Sequence, residues 1–136
     1  MEGSLPAHKI FEDDTALAIL DINPIRRGHT LILPKKHHEN FLDIPEEELA
    51  HLSILAKKIA PAIMRATDAD GFNVIGNNGA SAGQIIFHTH LHVIPRKAGD
   101  PRVRFSETFS WSQGREGDED INGTAASIRS HLSKNQ

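Results

Sequence analysis

The chain has no cysteine in its 136 residues. That excludes a disulfide framework and a thiol nucleophile. No apolar run approaches the ~20 residues of a membrane-spanning helix, and the N-terminus lacks the apolar core of a secretory signal. Neither sign of charge dominates: 15 Lys and Arg against 18 Asp and Glu leave a net charge of −3. General binding to nucleic acid or to anionic membranes is therefore not expected. Internal repeats are absent too. These absences leave a soluble, cytoplasmic protein as the expectation. The length suits one domain, and 38% hydrophobic residues can build a core without covalent staples.

Histidine is what the sequence has in quantity, with nine copies, three of them at alternate positions. Residues 83–96 read by twos as an extended strand. Ile85, Phe87, Thr89, Leu91 and Val93 fall on one side, suited to a core; Ile86, His88, His90, His92 and Ile94 fall on the other. Pro95 is expected to end the run, because it has no N–H for a ladder. Three adjacent charged imidazoles would repel, so most should be neutral at pH 7, and a neutral imidazole serves as nucleophile, base or metal ligand. A plain solvent-facing strand is the bland alternative; three alternating copies bounded by apolar residues argue against it. A single zinc is also disfavoured. His88 and His92 would lie about 13 Å apart on a strand, too far for bonds of about 2 Å from one ion. A His-x-His pair would need a third ligand from elsewhere. The loop at residues 76–84 is small and glycine-rich, which lets backbone N–H groups approach an anion. Alone it reads as an ordinary hairpin loop. Beside a histidine strand it becomes half of a phosphoryl-transfer site.

His88-Thr89-His90-Leu91-His92-Val93-Ile94 resembles the signature of the histidine triad family, with Thr89 a mild departure from the apolar pattern. Glu12-Asp13-Asp14, Leu20-Asp21-Ile22-Asn23-Pro24, the segment from Gly28 to Lys35 and Gly71-Phe72-Asn73 resemble family segments in family order. The resemblance covers roughly residues 2–100. Pro95-Arg96-Lys97-Ala98-Gly99-Asp100 resembles the dinucleoside polyphosphate hydrolase (fragile histidine triad) branch, with a looser likeness in the tail, where Trp111 would anchor a polar loop. Compared with the family, the opening segment is reduced to residues 2–7, so the zinc site of some members is not expected. The resemblance implies a homodimer whose sheets join. It also implies that Asp21 binds ribose hydroxyls, that Ile19 and Ile22 wall the base, and that His29 lies near the phosphate. Read from composition alone, Asp21 would be a turn residue and His29 a surface one.

In chain order, short strands are expected at residues 9–11, 15–21, 29–33 (stopped by Pro34) and 71–77. A helix is expected over residues 45–66, with Leu49, Leu52, Leu55 or Ala56, Ile59 and Ile63 at helical spacing. Pro45 and Glu46-Glu47-Glu48 suit its first turn. Pro61 predicts a kink or break near residues 57–61. Lys35-Lys36-His37-His38 reads as a solvated loop or subunit rim without a catalytic role, and Arg26 and Arg27 as exposed charges. A last helix is expected over residues 124–132, capped by Asn122 or Thr124. The sum is an α+β fold: about five antiparallel strands with one long helix. Residues 1–100 would form the main domain, and 101–136 a loop and short helix of the same domain or the dimer interface.

The expected chemistry is hydrolysis at the α-phosphorus of a nucleotide. His90 would attack and form a nucleotidyl-imidazole, which water then cleaves. His88 would support His90. His92, assisted by His29, would donate to a non-bridging oxygen, and Gln84 would bond the leaving side. Asn77 and the backbone of Gly83 and Ile85 would hold phosphates. No cofactor or protein-bound metal is expected, with magnesium arriving only on the substrate. Adenine or guanine dinucleoside polyphosphates are the first substrate class and nucleoside phosphoramidates the second. A nucleotide-binding partner protein with incidental hydrolysis is the reading from another class.

Overall fold

The computed structural model of the chain describes residues 8–100 and 116–134. Three strands come first: β1 (Lys9–Glu12), β2 (Ala16–Leu20) and β3 (Thr30–Pro34). The long helix α1 (Glu46–Thr67) follows, then β4 (Gly71–Gly76), β5 (Leu91–Arg96) and a second helix, α2 (Ile121–Lys134). The strands make one antiparallel sheet in the order β1-β2-β3-β5-β4. This is the expected α+β architecture.

The central strands are apolar at nearly every position because both faces of the sheet are covered. Ala16, Ala18, Leu20, Ile32, Leu91 and Val93 join the core under α1. The alternate residues Ile19, Leu31 and Leu33 form a second cluster with Leu17 on the opposite face. The register runs Ile19–Leu31 and Leu31–His92, so paired residues carry that second face straight to the third imidazole of the triad.

α1 buries Leu52, Leu55, Ile59 and Ile63 on one stripe. Each such side chain contributes about 1.5–3 kcal/mol of transfer free energy. Glu46, Glu47 and Glu48 occupy the first turn, where the helix N-terminus favours negative charge. The helix runs unbroken through Pro61, contrary to a break there. Pro61 lies on the exposed side, and the flanking buried residues hold the turn in spite of the missing hydrogen bond. α2 places Ala125 and Ile128 in the same core as α1. It begins at Ile121, and its cap is Asp120, whose carboxylate accepts the Gly123 N–H at 3.2 Å; Asn122 and Thr124 lie inside the helix. The expected Trp111 anchor lies outside the described residues.

The larger correction concerns the histidine strand. It begins only at Leu91; residues 86–88 bend, and a short 3₁₀ turn (Ala80–Ala82) precedes them. Ile85 and Phe87, expected in the core, are exposed by 76% and 45%. Nor does proline stop either strand. Pro95 pairs with Phe72, beyond the last β3–β5 pair, Thr30–Val93. Pro34 pairs with Ala16, and the neighbouring bond runs from Lys35 N–H to the Thr15 carbonyl. That pattern turns the main-chain polar groups of Pro34 away from β2, to the side where β5 is no longer paired. A missing N–H costs little there, and the Pro34 carbonyl is free for another donor.

Candidate functional site

His29 sits immediately before β3, at the end of a loop closed by its own backbone. Asp21 N–H donates to the His29 carbonyl at 2.9 Å, and His29 N–H to the Arg26 carbonyl at 2.9 Å. Gly28 makes this closure possible. Its φ is +95°, and a Cβ there would lie 2.7 Å from the Thr67 side chain.

The ring of His29 is 1% exposed. Its Nδ1 accepts the Ile25 N–H at 3.1 Å. A neutral His29 therefore carries its proton on Nε2, which lies 2.9 Å from Nδ1 of His92. His29 donates, His92 accepts, and the proton of neutral His92 must sit on Nε2. Main-chain geometry thus sets the tautomers of two side chains in succession.

His90 is oriented from the other side. Its Nδ1 lies 2.7 Å from the His88 carbonyl, which can only accept. Nδ1 holds the proton, and the lone pair of neutral His90 is on Nε2. The rings of His90 and His92 are 4.8 Å apart, inclined at 63°. His88 supports His90 through its main chain, while its own ring turns elsewhere. His88 Nε2 donates to the Pro34 carbonyl at 2.7 Å, and His88 Nδ1 lies 3.2 Å from Nδ1 of His37. Burial is the largest influence on His88 and pushes its pKa down from 6.5, which favours the neutral ring that this bonding needs.

The expected ligand groups are placed as follows. Asp21 lies beside the relay, with Oδ2 3.7 Å from His29 Nε2 and Oδ1 accepting the Asn23 N–H at 2.8 Å. Ile19 is buried in the cluster next to His92 and Ile22 is 64% exposed. Asn77 and Gly83 are half-buried in the loop after β4, and the Ile85 side chain points to solvent. Gln84 is 4% exposed and closes that loop. Its Oε1 accepts the Gly79 N–H at 2.7 Å, and its Nε2 donates to the carbonyls of Glu39 and Ile86 at 2.6 and 3.2 Å. Both amide hydrogens are used on the backbone, so contact with a leaving group requires an exchange of partners.

Two segments set aside in the sequence have structural work. Lys35-Lys36-His37-His38 is a largely exposed loop, as expected, but it is tied to the histidine strand. His37 meets His88, the His38 carbonyl accepts the Thr89 N–H at 2.7 Å, and His38 Nε2 donates to Glu48 at 3.0 Å. The basic composition hid this, because the contacts are made by ring nitrogens and a carbonyl rather than by the lysines. Arg26 and Arg27 are half-buried. Arg26 bonds Asp100 at 3.2 Å and Arg27 bonds Thr124 at 3.2 Å, which fastens the loop before His29 to β5's exit and to α2. Burial raises the Asp100 pKa, but the Lys97 N–H, Arg26 and Arg96 outweigh it and hold the carboxyl below its ordinary value.

Asp21, His29 and His92 bring three donor atoms within 4.8 Å of one another, close enough for a metal ion. The bonding argues against it. Ligation by His29 Nε2 would move its proton to Nδ1, where the Ile25 N–H already points. The site fits a polarised proton-donor relay better than an ion.

The HIT domain family model matches residues 2–99. Adenylylsulfatase HINT3 of Arabidopsis thaliana is 47% identical over 100 residues, 74% of this chain and 51% of that protein. The chain thus spans about half the length of that relative. An uncharacterised HIT-like protein of Methanocaldococcus jannaschii is 44% identical over 108 residues, covering 79% of this chain and 83% of that one. Among solved structures, a zinc-bound histidine triad family protein from Mycobacterium smegmatis superposes with a TM-score of 0.83 at 38% identity, over 97% of this chain and 88% of that chain.

Proposed function

The chain belongs to the HIT (histidine triad) family of nucleotide-binding hydrolases and transferases, and from that premise we propose that it hydrolyses nucleotides at the α-phosphorus through His90. The observation that carries the reading is the His90 Nδ1 bond to the His88 carbonyl, which leaves a lone pair on Nε2. His90 Nε2 attacks phosphorus, a P–N bond forms, and the P–O or P–N bond to the leaving group breaks. Water then cleaves the nucleotidyl-imidazole, restoring His90 and releasing the nucleoside monophosphate. His92, held by His29, donates to a non-bridging oxygen as charge builds there. Asp21 accepts from the ribose hydroxyls, and Ile19 with Ile22 faces the base.

Dinucleoside polyphosphates are the first substrate class. Adenylyl sulfate is a second, favoured by the name and 47% identity of the plant relative. A homodimer fits β4, an edge strand with Phe72 and Val74 43% and 48% exposed. Nucleotide substrates suit a cytoplasmic setting.

The test is a metal-free turnover assay with diadenosine triphosphate, adenylyl sulfate and adenosine phosphoramidate, using His90→Ala as control. One substrate should be cleaved far faster than the others, and His90→Ala should bind AMP without turning over. Unchanged turnover in that variant would sink the mechanism. AMP binding with no turnover by the native chain would make it a nucleotide-binding partner protein instead.

A further inference from the structure

Three hydrogen bonds fasten residues 88 and 89 to one short segment. The Pro34 carbonyl accepts from His88 Nε2 at 2.7 Å, the His37 ring meets His88 Nδ1 at 3.2 Å, and the His38 carbonyl accepts the Thr89 N–H at 2.7 Å. The segment is itself anchored. His38 bonds Glu48 in the first turn of α1, and the Glu39 carbonyl holds Gln84 at 2.6 Å. The peptide between His88 and Thr89 is therefore held from both ends. Its carbonyl is the group that accepts the hydrogen bond from His90 Nδ1–H.

We propose that residues 34–38 are a template that fixes the tautomer of His90, and that His37 is the positioning residue in it. The proton inventory gives His37 its role. His88 Nε2 must carry a proton to bond a carbonyl, so neutral His88 presents a bare Nδ1. The hydrogen between the two rings then belongs to His37 Nδ1. Of the three groups that hold residues 88 and 89, His37 supplies the only side chain. It is exposed, so it can be changed without opening the core. Without its donor, the His88 ring keeps one anchor and loses its fixed orientation. The carbonyl that selects the His90 tautomer shifts with it.

The role of His90 as nucleophile is taken from the preceding section, and the experiment separates the two. Long-range ¹H–¹⁵N NMR of imidazole nitrogens reads the tautomer without substrate; steady-state kinetics reads turnover. The native chain should show His90 protonated on Nδ1. His37→Ala should show a mixture of tautomers, with kcat lowered about tenfold and KM within about twofold of native. His37→Asn supplies an amide N–H toward His88 and should restore both. The proposal is overturned if His37→Ala leaves His90 wholly Nδ1-protonated, or if His37→Asn is no better than His37→Ala. If the tautomer responds as stated while the native chain turns over no substrate, the template stands and the hydrolase reading falls.

Discussion

His29 has two nitrogens with two separate tasks, and two substitutions can divide them. An Asn amide can turn its oxygen to the place of Nδ1 when the neighbour there is a donor, as the Ile25 N–H is; a Gln amide can turn its nitrogen to the place of Nε2. His29→Gln should keep a donor for His92 and leave the Ile25 N–H without its acceptor. That N–H is buried, with Ile25 7% exposed. Orphaning it costs about 1–3 kcal/mol. With a urea slope of about 2 kcal/mol/M for a small protein, the unfolding midpoint should fall by about 1 M. His29→Asn should keep the Ile25 bond and strip His92 Nδ1 of its donor. The loss then appears in the transition state. About 1–3 kcal/mol corresponds to roughly five- to 150-fold in kcat. Urea unfolding and AMP release, measured on both variants, give a two-by-two result. The Gln variant should lose more stability and the Asn variant more activity. The tautomer argument is refuted if both variants lose stability and activity in the same proportion.

Three other outcomes follow from the described packing. His88 should titrate below 6.5, because its buried ring resists charge. The unfolded chain then binds a proton that the folded chain refuses, so stability should decrease as pH falls through 6.5 and level off below the folded-state pKa; calorimetry from pH 8 to 5 checks the sign. Gly28→Ala puts a Cβ 2.7 Å from Thr67 at a φ of +95°, and should cost about 1–3 kcal/mol in denaturant unfolding. Ile128→Ala opens a cavity at a fully buried α2 position, and should cost about 2–5 kcal/mol in one cooperative transition if α2 and the sheet share a single core; a separate early transition would contradict that.

Much of the fold was readable because its signals are local. The stripe from Leu52 to Ile63 and the acidic first turn specify α1, and the run of apolar residues in β2 and β3 reflects a sheet covered on both faces. The alternation rule failed over residues 85–90. Histidines two apart can be brought together by a bend as well as by a strand, and the bend is imposed by distant partners, Glu39, Pro34 and His38. The prolines misled for a similar reason: whether a missing N–H matters depends on which side of the strand is paired. His88, His90, His92 and His29 were legible as candidates, but not the division of labour among them. That division depends on which nitrogen faces which carbonyl. His37 left no signal in a run that read as surface charge.

The Ile25–His29–His92 series also has a polarity. Each member donates to the next in the same sense, from a main-chain amide outward to the last ring, so their dipoles add. An array of this kind presents a positive pole while carrying no net charge. Dissolved ions screen net charges over a Debye length of about 8 Å at physiological ionic strength, and have little purchase on buried, fixed dipoles. The pull that this relay would exert on the phosphate of the proposed substrate is therefore set by orientation rather than by the ionic medium, in a chain whose overall charge of −3 would otherwise repel an anion.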